Sequence, residues 1–488
     1  MKKINTISNI LHKTRKNPFF NTLVHTSNYF TASIMIRAMG FISLPVMTRI
    51  LSPKDFGIDK VVVSYLGILS TIISLNTYVA LGRYYYEKKD DFKDFFGTSL
   101  IINFFLFITA WIVTICFKGI TSNFLGLPAN TIIFIVPQTV FLIFNSWFEQ
   151  IYIPQEKSKK IAVRNIISAY SVFGLSVLFI LLMEKYKYMG PTYSRTVIGT
   201  AFIFYYMFEL KKYFKLSFKI KHLKYIISYS FPLIPYSLSG IILVQFDRII
   251  INKIIGPTEA GLYSFAYTIG MLLTIVVGAL HRAWMPKYYR YMGNKEFDKI
   301  DNDISKMFRI ISVISLFLIF FGKEMGMLLA KKNFHSSLPL VPIIVISYIF
   351  NAIFAFYGWN NSYVKKTIYL SITVLISGIL NIVLNVVFIP RYGYFIAAYT
   401  TLASYFVMAL LIWIINKFYL KIYCTPVLKI LNPIFALIPL IIIYYIITFY
   451  IHTIWFAVLL KVFLLGLFFL FIFNKFIFNT VLNNKKSC

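Results

Sequence analysis

The feature that most constrains this chain is the recurrence of apolar runs about twenty residues long, each enough to cross the ~30 Å hydrocarbon core as a helix. They fall at 28–50, 58–82, 96–117, 131–153, 161–182, 190–210, 225–250, 258–285, 304–322, 338–360, 368–389, 393–416, 428–448 and 453–478. Lipid offers no partners to backbone amides, so each run is expected to be helical. At about 21 residues each, fourteen such helices would use roughly 60% of a chain this long. That agrees with the 59% hydrophobic content of the 488 residues and leaves no room for a large soluble domain. The expected fold is therefore an all-α polytopic membrane protein with about fourteen transmembrane helices. Charged residues make up only 14%, against about 25% in a soluble protein. The net charge of +32 is thus no nucleic-acid signature, and no nucleic-acid partner is expected.

The basic residues set an orientation instead. With the N-terminus inside, 32 of the 49 Lys and Arg lie on the inner side, 12 lie outside, and five are read within spans: Arg37, Arg83, Arg195, Arg282 and Lys461. The positive-inside rule then places both termini in the cytoplasm. Cys116, Cys424 and Cys488 form no disulfide framework or metal knuckle, so neither a metal nor a cofactor is expected. The first residues are too polar for a signal peptide.

The chain repeats itself at an offset of 204 residues. Ile50, Pro53, Gly57, Leu69, Tyr84 and Tyr85 recur as Ile254, Pro257, Gly261, Leu273, Tyr288 and Tyr289, without a gap over 37 positions. Arg83 and Lys287 occupy matching places. Gly190 and Gly393, at the starts of spans 6 and 12, keep almost the same spacing. A six-span offset preserves membrane orientation, so it implies two halves related by an axis along the membrane normal, as in rocking transporters. The expected organisation is a tail (1–27), a six-helix bundle (28–210), a basic linker (211–224), a second bundle (225–417), and two additional helices with a tail (418–488).

Three segments carry a family resemblance. They are Thr48 to Gly57 (TRILSPKDFG), Asp247-Arg248 with Gly256 and Glu259 to Ser264, and Asn381-x3-Asn385-x4-Pro390-Arg391-x-Gly393 followed by Ala397-Ala398. They resemble the Wzx-type O-antigen and capsule flippases of the MOP superfamily, which also holds the multidrug MATE exporters. The resemblance covers nearly the whole chain, and its motif positions are Pro53, Gly57, Arg248, Gly261, Asn381, Asn385, Pro390 and Gly393. It implies a MATE-like fold in the bacterial inner membrane. It also implies translocation of undecaprenyl-diphosphate oligosaccharide from inner to outer leaflet, a cationic lumen and ion coupling, with work alone or beside a polysaccharide polymerase and chain-length machinery left open.

The residues can be weighed on their own chemistry. Intramembrane charges usually face a polar path, because facing lipid is expensive. Arg37, Arg83, Arg195, Arg282 and Lys287 are the candidate diphosphate ligands; an arginine suits a phosphate because its planar fork bonds two oxygens. The competing reading for Arg37 is a structural pairing, and for Arg83 and Lys287 ordinary interfacial anchoring. Lys461 reads as peripheral. Asp247 and Glu149 are the ion-coupling candidates, with a structural arginine partner the favoured alternative for Asp247. Asn381 and Asn385 share a helical face and read first as interhelical bonds. Pro232 and Pro235 interrupt span 7.

Several rivals remain. Asp90, Asp91 and Asp94 spell DDxxD, and Asp298, Asp301 and Asp303 form a second acidic cluster. Together they could hold Mg²⁺ on a diphosphate, as in a membrane prenyltransferase. Both clusters are mixed with lysines at matching places in the repeat, as solvated loops are. A polymerase would need a long outer loop, which is lacking. A multidrug exporter or a lipid II flippase is the nearer alternative, and the expectation is that the chain is not an enzyme.

Overall fold

The computed structural model describes residues 35–36, 39–450 and 454–485. Helix is the only regular secondary structure among them, and the described part of each apolar run is helical for most of its length. Among the described residues, ten helices are long and apolar enough to cross a membrane alone, or eleven if the bent pair Pro257–Gly270 and Leu273–Gly293 is one span. The chain is thus a multi-pass membrane protein. The spans that do not meet this test are span 6 and the described parts of spans 1 and 14. Span 6, Met189–Leu210, carries Arg195 among four Ser and Thr. Span 2 is split into Pro53–Ser74 and Thr77–Glu87 by Leu75 and Asn76, both left-handed at φ 47 and 54. Met39–Ile50 and Phe456–Ile472 are shorter apolar helices.

The chain divides into two compact units. The first comprises the described residues up to Ile241, together with Gly256–Gly261. It holds an aromatic core of Phe92, Phe95, Phe96, Trp147, Phe148, Tyr152 and Tyr206. Span 2 begins at a cap written in the sequence: Ser52 Oγ accepts the Asp55 amide at 3.1 Å, and Pro53 opens the helix, where no amide is needed. The two copies of the glycine motif meet here. A Cβ on Gly57 would collide with the Pro257 carbonyl oxygen and lie 2.8 Å from the Gly261 nitrogen. One on Gly261 would collide with the Pro53 carbonyl and lie 2.9 Å from the Gly57 nitrogen. Glycine is required at both positions because backbone fills the space.

The second unit comprises Ile242–Ile255 and the residues from Leu262 on. Span 12, Ile396–Ile414, packs on Val341–Tyr363 and Ile368–Tyr392 through small buried residues: Ala397, Ala398, Thr400, Thr401 and Ser404. Gly393, at φ 73, ends span 11 just after Pro390. Lys461 is a correction to the sequence reading. It is 1% exposed and pairs with Glu324 of Phe297–Leu329, between the rings of Phe321 and Tyr444. A cation on a helix that packs inward cannot snorkel, so it takes an acid instead.

Span 7 is broken as its prolines imply. Ile220–Tyr229 leads through the short turn Phe231–Leu233 into Ile234–Ile254. Pro232 and Pro235 each remove an amide donor at the break.

Candidate coupling and substrate sites

Asp247 lies on Ile234–Ile254 and is fully buried. Its Oδ2 accepts the Tyr263 hydroxyl at 2.6 Å and the Thr401 hydroxyl at 2.8 Å; its Oδ1 accepts the Asn385 amide at 2.6 Å. The second layer is also built of neutral groups. Asn385 donates to Asn381 Oδ1 at 3.1 Å, and Thr400 donates to Asn385 Oδ1 at 2.5 Å. Four helices therefore converge on one carboxylate. Neighbouring residues on a helix point about 100° apart, and Arg248 indeed turns away. Its Nε donates to Ser264 Oγ at 3.1 Å, its Nη1 to the Val244 carbonyl at 2.6 Å, and its guanidinium lies over the Tyr267 ring. No ion pair to Asp247 occurs among the described residues, so the structural arginine favoured from sequence is not among its partners. Asn381 and Asn385 do bridge helices, with the acid as the shared target.

The first unit holds a carboxylate of the opposite kind. Asp59, which the sequence reading missed, pairs through Oδ1 with Arg195 Nη1 at 2.7 Å. Arg195 Nε donates to Gln138 Oε1 at 3.1 Å, and Gln138 in turn donates to the Thr192 carbonyl at 3.1 Å. Asp59 is 7% exposed. It lies one residue inside the start of the run 58–82, where an acid in an apolar run went unremarked. The repeat offers a signal, since position 59 is equivalent to Tyr263, a partner of Asp247. Glu149 is likewise compensated. It accepts from Arg164 at 3.3 Å and from Asn165 at 3.1 Å. Arg164 is 4% exposed and stacks between Phe148 and Tyr206, although the sequence reading counted it with an inner loop.

The candidate substrate cations therefore separate. Arg195 is engaged with Asp59, which corrects its reading as a free cation. Arg83 donates to Glu87 and lies over the Tyr229 ring, which fits anchoring better than ligand binding. The Arg83 ion pair holds the Glu87 carboxyl below its ordinary range. Arg282 and Lys287, on Leu273–Gly293, are exposed and in no ion pair among the described residues. Arg37 lies outside the described residues. No group of three or more His, Cys, Asp or Glu suited to a metal occurs among the described residues.

Comparison with known proteins bears on this arrangement. The chain is 21% identical over 334 residues to the "Putative O-antigen transporter" of Shigella flexneri, covering 64% of this chain and 77% of that protein. It is 23% identical over 282 residues to the "Lsg locus putative protein 1" of Haemophilus influenzae, covering 55% of this chain and 66% of that protein, so it spans just under two thirds of the latter's length. The fold is similar to that of the lipid II flippase MurJ in an inward closed conformation, with a TM-score of 0.72, 16% identity, and coverage of 92% and 99%. It is also similar to an inward-facing multidrug resistance MATE family transporter of the MOP superfamily, with a TM-score of 0.59, 15% identity, and coverage of 76% and 91%. The family model described as "Polysaccharide biosynthesis protein" matches residues 23–292, more than half of the chain. With the motif residues Pro53, Gly57, Asp247, Arg248 and Gly261 inside that match and a MOP-type fold around them, the chain belongs to the polysaccharide biosynthesis protein family.

Proposed function

We propose that the protein is a flippase that moves polyprenyl-diphosphate oligosaccharide, an O-antigen or capsule repeat unit, from the inner to the outer leaflet of the bacterial inner membrane. The observation that carries this reading is the family membership. It is a transport role, not an enzymatic one, that works by alternating access with both termini cytoplasmic. Polymerase and chain-length proteins are the natural neighbours of such an activity.

The residue chemistry supports this division of labour. Arg282 and Lys287, free of acid partners among the described residues, serve as ligands for the diphosphate, joined by Arg37. A cation on a transport path is useful only if no resident carboxylate already satisfies it. Asp247 serves as the coupling site. Its surroundings supply a carboxylate, hydroxyls and amide oxygens, the hard oxygen donors that suit Na⁺ or a proton carrier. With a single acid, the set fits a monovalent ion better than a divalent one.

A clean deletion is the test. Accumulation of polyprenyl-diphosphate oligosaccharide on the cytoplasmic leaflet, with loss of the surface glycan, is expected. A normal surface glycan in that strain would refute the reading. Drug hypersensitivity with an intact glycan would favour the multidrug exporter, and arrest of cell-wall synthesis the lipid II flippase.

A further inference from the structure

Members of the two acidic clusters that suggest a metal-dependent enzyme are engaged elsewhere. In the first unit, Asp91 and Asp94 stand at the inner end of span 3, Phe92–Cys116. They face the linker 211–224. Asp91 pairs with Lys221 at 2.5 Å, with Lys219 at 3.4 Å, and with His222 Nε2 at 2.9 Å. Asp94 pairs with Lys219 and accepts the Ser217 hydroxyl at 2.7 Å. The backbone is tied too. The Lys215 amide donates to the Lys93 carbonyl at 3.0 Å, and the Lys219 amide donates to Thr98 Oγ1 at 3.2 Å. The linker crosses span 3 over Gly97, where a Cβ would collide with the Lys215 carbonyl. His222 is 1% exposed, which is unusual for a residue in a basic linker.

The second unit has a comparable device at another position: by the same offset Asp94 matches Asp298, and Asp301 falls at the place of Gly97. Asp301, at the inner end of span 9, accepts the Tyr423 hydroxyl at 2.7 Å and pairs with Lys429 at 2.8 Å. Tyr423 also stacks on Phe297 at 4.1 Å. Lys219 and Tyr423 are separated by the same 204 residues as Pro53 and Pro257. So are the identities Phe214 and Phe418, Leu216 and Leu420, and the buried pair Ile226 and Ile430. The break at Phe231–Leu233 in span 7 is matched by the break at Ala436, between Val427–Phe435 and Leu437–Tyr450 in span 13. The repeat therefore runs past its second copy, and span 13 enters the membrane as span 7 does.

We propose that Asp91, Asp94 and Asp301 are positioning residues, by which the third helix of each copy grips the root of the helix that opens the next. The grip fixes where the amphipathic roots of spans 7 and 13 meet the inner leaflet. It acts through those roots and touches no substrate. Its importance for export rests on the flippase reading; its existence does not.

The test uses full-length protein in nanodiscs, with hydrogen exchange followed over residues 214–223 and glycan export measured in cells. Asp94→Lys is expected to speed exchange of the Lys215 and Lys219 amides by about fivefold or more, on the scale of losing an ion-pair network, and to lower export. Adding Lys219→Asp should restore both. The swap Asp301→Lys with Lys429→Asp should do the same for residues 420–430. Unchanged exchange in Asp94→Lys would overturn the grip. Faster exchange with full export would overturn its positioning role yet leave the flippase reading intact, since that reading stands or falls on the deletion strain. Should Asp94→Lys be missing from the membrane, Asp91→Asn with Asp94→Asn gives the same readings with a smaller perturbation.

Discussion

Asp59 and Asp247 are both buried carboxylates on membrane helices, one in each unit, and their partners are opposites. Asp59 meets the guanidinium of Arg195. Asp247 meets two hydroxyls and an amide, while the adjacent arginine turns to Ser264 and a carbonyl. A buried carboxylate with a fixed cation is electrically complete, and exchanging its charge would leave the cation stranded. A carboxylate held by neutral donors leaves its charge open to a mobile cation. The repeat makes the contrast sharper, because position 59 is equivalent to Tyr263, which supplies one of those neutral donors. One copy of the fold uses the place for an acid in an ion pair, the other for a tyrosine that donates to an acid.

The largest effect expected from this contrast is on stability in the first unit. Asp59→Asn should cost about 3 kcal/mol by leaving Arg195 uncompensated, with much of it recovered in Asp59→Asn/Arg195→Gln. Thermal unfolding in detergent would read it, and additive losses in the double variant would break the pairing. Asp247→Asn is isosteric and should leave folding almost unchanged while stopping transport and its dependence on Na⁺ or pH. Gly57→Ala or Gly261→Ala should destabilise by about 1–3 kcal/mol, because backbone occupies the new methyl's place. Tyr263→Phe and Thr401→Val should each weaken the coupling ion by about fivefold, the scale of one hydrogen bond. The smallest effect is a null. The Lys221 ammonium first, then His222 and Lys219, hold the Asp91 carboxyl well below its ordinary range, with Tyr84 also facing it. A depressed carboxylate contributes above its ordinary pKa and is lost only as pH falls through the lowered value. The contribution of the Asp91 carboxylate itself to linker protection should therefore be unchanged from pH 7 to about pH 5.

Much of the architecture was legible because membrane helices announce themselves by length and hydropathy, and the 204-residue offset located Gly57 and Gly261 before their contact was visible. Boundaries between loop and helix were less legible. Arg164 and Asp59 sit within a few residues of a helix start, where hydropathy cannot separate a solvated charge from a buried one. Asp247, Asn381 and Asn385 stood out as polar residues in apolar runs. That Tyr263 and Thr401 complete the cage was not readable, since hydroxyls are unremarkable in a helix until another helix brings an acid against them. The acidic clusters were readable as charge but not as structure, because their lysine partners lie more than a hundred residues away in sequence.

The central claim is tested most directly by reconstituting the purified protein in liposomes with a labelled polyprenyl-diphosphate oligosaccharide and measuring head-group translocation. The account predicts translocation by the unaltered protein, none by Asp247→Asn, and retained translocation by the Asp59→Asn/Arg195→Gln pair. Absence of translocation in the unaltered protein, or an Asp247→Asn variant as active as it, would contradict the account.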